Sequence, residues 1–224
     1  MHGSKIQALR WFRPALLCSA FLVLSPGIEA APNDPAFPHS AIPGEDASKR
    51  GDRLPRSVPD TATDRKQILT DLYDRLRIAE DESTAALVAK AIEKLWLRSG
   101  SPTVDLLMNR VGLLMAAEDF DVALKLLNSI VEIAPAYSEG WSRRAALFFV
   151  KKDFARSLED LRHALAIDPK HFKAIQGLGF LMQELGDNKA ALKAFRYALS
   201  VHPHLKDVRQ SERELSREVE GQGI

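Results

Sequence analysis

Beyond residue 65 the chain contains four prolines, Pro102, Pro135, Pro169 and Pro203; the last three stand 34 residues apart, after a first gap of 33. A proline cannot continue a helix interior, because it lacks the N–H that bonds back one turn and its ring clashes there. A proline returning at that interval marks the same helix end in successive copies of one unit. With the proline set at position 32, the units begin at Val104, Ser138 and Phe172. Position 4 is then Leu107, Trp141 and Ile175; position 8 is Val111, Ala145 and Gly179; position 11 is Leu114, Phe148 and Met182. Position 20 holds Ala123, Ser157 and Ala191, position 24 holds Leu127, Leu161 and Phe195, and position 27 holds Ile130, Ala164 and Ala198. Two antiparallel helices approach closely only where side chains are small, while large residues fill the space to the next unit.

This pattern resembles the tetratricopeptide repeat, with a large residue at 4, small residues at 8, 20 and 27, and proline at 32. The unit 172–205 matches nearly every position; 104–137 and 138–171 depart modestly, through the larger Val111 and Ile130 and through Ser157. The resemblance implies an all-α fold, a right-handed α-solenoid of about four helical hairpins plus a C-terminal capping helix.

The flanks extend the design. Lys66 to Glu80 places Ile68, Leu69, Leu72, Leu76 and Ile78 largely on one helical face, and Ser83 stands where an N-cap would precede a second helix reaching Trp96. Counted one unit back from Val104, this hairpin reads as a degenerate repeat over about 70–102, with Tyr73 at 4, Ala89 at 20 and Trp96 at 27. Trp96 is far larger than the family prefers there, so packing around it must be looser or rearranged. Residues 206–220 are heavily charged, with a thin stripe of Val208, Leu215 and Val219, which suits a capping helix. The repeat region therefore spans 66–220.

Ahead of it lie two segments of other character. Lys5, Arg10 and Arg13 precede the apolar run Pro14 to Leu24, then Ser25-Pro26-Gly27 and Ile28-Glu29-Ala30. That order reads as a secretory signal peptide over 1–30, cleaved after Ala30. The run is too short for a bilayer span of about 20 residues, so an uncleaved N-terminal membrane anchor is the lesser alternative. Cleavage removes Cys18, the sole cysteine. Residues 31–65 carry six of the twelve prolines amid charged residues and only Phe37, Ile42, Leu54 and Val58 as large apolar groups. Such a stretch reads as a disordered spacer. The expected location is the periplasm or the exterior, with no membrane insertion after cleavage.

Chemistry is sparse. A formal net charge of +1 offers no field for nucleic acid. His202 and His204 form an H-x-H pair without a third ligand at recognisable spacing, so no metal or other cofactor is expected. Gly177-Leu178-Gly179 lacks the strand a nucleotide-binding loop needs. No nucleophile or carboxylate pair indicates an enzyme.

The resemblance implies instead a concave groove lined by the first helix of each pair. Carried onto this sequence, its groove positions are Met108, Asn109 and Met115 in the first unit and Glu139, Ser142, Arg143 and Phe149 in the second. In the third unit they are Lys173, Gln176, Phe180 and Gln183. Phe149 and Phe180 are either groove anchors or packing between units. The expected function is a periplasmic scaffold or adaptor holding a segment of a partner protein. The alternatives are a structural subunit of an envelope complex with an empty groove and, last, a metal-binding or enzymatic protein using His202 and His204.

Overall fold

The computed structural model describes residues 62–221; the leader and the spacer up to residue 61 lie outside the described residues. The described residues form nine helices and no strand. These are α1 (Ala62–Arg77), α2 (Glu82–Trp96), α3 (Pro102–Ala116), α4 (Phe120–Ile133), α5 (Ser138–Val150), α6 (Phe154–Ile167), α7 (Phe172–Glu184), α8 (Asn188–Val201) and α9 (Lys206–Glu220). None is long and apolar enough to cross a membrane.

The three repeats are α3–α4, α5–α6 and α7–α8, and the turn inside each is built the same way. Glu118, Lys152 and Gly186 adopt left-handed φ values of 57°, 61° and 81°. The following Asp119, Asp153 and Asp187 each donate a backbone N–H to a carbonyl five residues back, closing the first helix of the pair. The same aspartates then cap the second helix, accepting the N–H of Val122, Arg156 and Ala190. Pro135, Pro169 and Pro203 follow α4, α6 and α8 by two residues, as the spacing predicts. Pro102 plays another part: it opens α3 as a first-turn residue, where its missing N–H costs nothing. Asp81 rather than Ser83 caps α2, accepting from the Thr84 N–H at 2.9 Å and from the Ser83 hydroxyl.

Small residues set the spacing within each pair. Ser157 donates its hydroxyl to the Ala145 carbonyl at 2.9 Å, tying position 20 to position 8. Gly179 lies flat under the Phe195 ring, leaving no room for a Cβ. Phe195 is fully buried and edge-on to Phe180, with ring centroids 5.1 Å apart. Val208, Ser211 and Leu215 bury one face of α9 at the end of the third repeat.

The first hairpin departs from the stack. α2 does not pack along α3 in the way that α4 packs along α5 and α6 along α7. Instead Tyr73, Leu76, Ala85, Ala89, Ile92 and Trp96 share one core with the second and third repeats. Val104, Met108, Val111, Met115, Leu127 and Ile130 form a separate core in the first repeat. α1 lies against α8, and the Nε2 of His204 meets the Ala79 carbonyl at 2.9 Å.

The repeat register supplies the reason. Where one repeat meets the next, position 27 faces position 3: Ile130 against Gly140, with the glycine so placed that a Cβ would sit 3.0 Å from an Ile130 methyl. At the next junction the same two positions hold Ala164 and Ala174, both fully buried. Stacked in register, the first hairpin would bring Trp96 onto Leu106, two large side chains where the other junctions hold at least one small one. Overfilling a close-packed contact is destabilising, so the hairpin docks elsewhere.

Two glycines in equivalent helices should respond oppositely to alanine. Gly179→Ala forces a methyl into Phe195 and should cost about 2 kcal/mol. Gly112→Ala meets nothing within 4 Å and should gain about 0.5–1 kcal/mol. Urea unfolding of both variants checks the pair.

Candidate functional site

The helices α5 and α7 lie side by side, and the candidate groove residues that the structure brings together are at their N-terminal ends. Glu139, in the first turn of α5, is buried and takes a charged hydrogen bond from Arg143 Nε at 2.6 Å. Its other oxygen lies 3.1 Å from His171 Nε2. His171 caps α7, its Nδ1 accepting the Ala174 N–H. With Nδ1 as the acceptor, the ring proton lies on Nε2, which donates to Glu139. Burial alone would raise the Glu139 pKa; the Arg143 charge and the His171 hydrogen bond outweigh it and hold the carboxyl at about 2.

The first hairpin covers this cluster. Trp96 stacks on His171 with ring centroids 3.8 Å apart and planes within 3°, and it tilts against Phe172 at 4.7 Å. Its indole N–H points to the Tyr73 hydroxyl at 3.2 Å and to Asp168 at 3.3 Å. Tyr73 donates to the same Asp168 oxygen at 2.6 Å. Burial, and then the Asp168 charge, push the Tyr73 pKa far above the usual phenol value, so the hydroxyl stays a donor. Glu93 of α2 pairs with Lys173 of α7 at 2.9 Å. The carboxylate of the protein's own hairpin thus engages a cation of the candidate groove.

The remaining candidates divide. Met108 and Met115 belong to the core of the first repeat, beside Leu127, Ile130 and Leu147. They face inward because Val104, Met108, Val111 and Met115 form the buried stripe of α3. Asn109 is exposed on that helix, apart from the cluster. Phe149 and Phe180 are both buried, Phe149 against Phe154 at 5.6 Å and Phe180 against Phe195 within its own repeat. Ser142 is buried in α5, whereas Gln176 and Gln183 remain half-buried along α7. Sequence reasoning missed Tyr73, Glu93, Asp168 and the buried role of His171; the one available signal was the oversized Trp96.

His202 and His204 do not converge on a metal. His202 is buried edge-on to Phe172, ring centroids 5.2 Å apart, with Nδ1 unpartnered among the described residues. His204 is engaged with Ala79. No group of three or more metal-ligating side chains occurs among the described residues.

No family model matches the chain. A TPR repeat-containing protein of Rhizobium etli is 31% identical over 156 residues, covering 70% of this chain and 76% of the relative. The heat-shock protein cognate co-chaperone sgt12 of Aspergillus fumigatus is 29% identical over 128 residues, 55% of this chain and 38% of that protein. Among solved structures, the Sgt2 TPR domain from Aspergillus fumigatus superposes with a TM-score of 0.51 at 25% identity, covering 55% of this chain and 82% of that one. A MamA crystal structure gives a TM-score of 0.50 at 18% identity over 72% of this chain and 85% of its own, a likeness of fold.

The buried imidazole makes stability depend on pH. Burial, and then the neighbouring His204, lower the His202 pKa from 6.5 to about 4. Between those values the unfolded chain binds the proton and the folded chain does not, so stability falls as pH drops from 6.5 to 4. The expected loss at pH 4 is about 3 kcal/mol. Urea unfolding across that range should show it, and His202→Gln should flatten the profile there.

Proposed function

This chain belongs to the tetratricopeptide-repeat proteins, and we propose that it is an exported scaffold that holds a segment of another protein along α5 and α7, in competition with its own first hairpin. The observation that carries this reading is the occupancy of the groove end: Glu93 on Lys173, and Trp96 on His171 over the Glu139–Arg143 pair. A carboxylate and a large flat ring, three residues apart on one helix, act there as an internal ligand. The exposed Glu93–Lys173 pair contributes little by itself. The hairpin is held mainly by its buried apolar face, so a client must offer both a carboxylate and apolar groups to compete with it. The relative named as a co-chaperone supports a role in protein interaction. The basic and apolar leader supports export to the periplasm, with a mature chain beginning at Ala31.

A second reading, a structural subunit whose groove stays closed by its own hairpin, is favoured by the near-complete burial of Trp96, 4% exposed. One experiment separates the two. A photoreactive benzoylphenylalanine replaces Gln183, or Arg213 on α9 as control, in cells producing the full chain. The scaffold reading predicts one discrete adduct from the Gln183 position, several-fold stronger when Trp96→Ala weakens the hairpin's hold. Adducts from the Arg213 position alone, with none from Gln183 even in the Trp96→Ala variant, would support the closed subunit instead.

A further inference from the structure

The first repeat leaves open a face that later repeats bury. Positions 3 and 10 of each first helix look toward the preceding repeat. They are Gly140 and Leu147 in α5, and Ala174 and Leu181 in α7, all buried. In α3 the same positions are Leu106 and Leu113, 70% and 65% exposed. Arg110 lies between them on the same stripe, exposed and with no hydrogen-bond or ion-pair partner among the described residues. Its counterpart Arg144 is held from both sides, by Asp160 of its own repeat at 2.7 and 2.8 Å and by Asn128 of the preceding repeat at 3.1 Å. The first repeat has Leu126 where Asp160 stands in the second. The first repeat therefore offers Arg110 no carboxylate at the place where Arg144 has one.

Three occupants fit poorly. The chain's own first hairpin would overfill the junction with Trp96 on Leu106, and would set Lys94, at the place of Asn128, against Arg110. A second copy laid α3 on α3 about a twofold axis would put the two Arg110 side chains face to face at its centre. A second copy stacked head to tail would offer the free side of α9, where Arg209, Gln210, Arg213, Glu214 and Arg217 are exposed without an apolar neighbour.

We propose that the α3 face docks an amphipathic helix of another protein, one that sets alanine or glycine against Leu106 and a carboxylate against Arg110. Such a helix continues the repeat-to-repeat contact already made by α4 on α5 and α6 on α7. It supplies the small partner that Leu106 needs and the charge that Arg110 lacks. This face is separate from the α5–α7 groove, so the fate of one proposal does not decide the other.

The test uses the full chain and two fluorescent peptides copied from its own α6, residues 153–169, which carries Ala164 at position 27. One peptide is unchanged; the other carries Arg162→Glu at the position of Asn128. Fluorescence anisotropy should show the glutamate peptide binding at least tenfold more tightly than the unchanged one. Arg110→Glu in the protein should reverse that preference, and Leu106→Asp with Leu113→Asp should abolish binding of both. Because these leucines are exposed, the double variant should keep the wild-type melting temperature, which separates lost docking from lost folding. Failure of both peptides to bind, or a preference indifferent to Arg110→Glu, overturns the proposal. So does a wild-type dimer that Leu106→Asp dissolves in light scattering, which would make a second copy the occupant. Slowed hydrogen exchange in residues 31–61 that Leu106→Asp releases would overturn it in favour of the chain's own N-terminal segment.

Discussion

The contact between position 27 of one hairpin and position 3 of the next governs how this chain arranges itself. Protein interiors are close-packed, and a junction with one small partner closes while one with two large partners does not. Ile130 with Gly140 and Ala164 with Ala174 close, and the three repeats form one stack. Trp96 with Leu106 cannot close in that register, and the first hairpin turns away to bury its apolar face elsewhere. The same steric fact has two consequences at opposite places. The N-terminal ends of α5 and α7 gain a cover, and α3 loses one.

What the hairpin finds is a site already organised by the repeats. His171 caps α7 through Nδ1, and the same ring presents its flat face to the Trp96 indole. The inter-repeat turn holds Asp168 where both Tyr73 and Trp96 can donate to it. Glu139 keeps its charge under this cover because Arg143 and His171 offset its burial. Buried charges of this kind stabilise only while every partner is present. Arg143 and His171 supply the partners of Glu139 from the repeats, and the hairpin adds the Trp96 stack above His171.

The repeats were legible in the sequence because their causes are local and periodic. The prolines at 135, 169 and 203 do what their spacing says, and Gly179 under Phe195 is the close approach that position 8 requires. Pro102 was misleading, since a proline one residue out of phase can open a helix as well as follow one. Seeing the repeat pattern in the first hairpin told that Trp96 was too large, but not where it would go. That answer depends on Tyr73, Asp168 and His171, which lie up to 98 residues apart in the chain and follow no period. The groove residues were legible only as a register. Glu139, Arg143 and Lys173 do meet the first hairpin's docking site, whereas Met108 and Met115 turn into the core because α3 buries the stripe that contains them.

The covered groove and the open α3 face both depend on where the first hairpin sits in solution. In a Cys18→Ser background, paired substitutions Glu93→Cys with Lys173→Cys test the docked position, and Lys94→Cys with Arg110→Cys test the stacked one. Each pair is treated with a short bismaleimide, and intramolecular bridging is read by mass spectrometry after digestion. The docked arrangement predicts efficient bridging of the first pair and little of the second. Bridging of the second pair with none of the first would show the hairpin stacked on α3, contradicting both the covered groove and the open face.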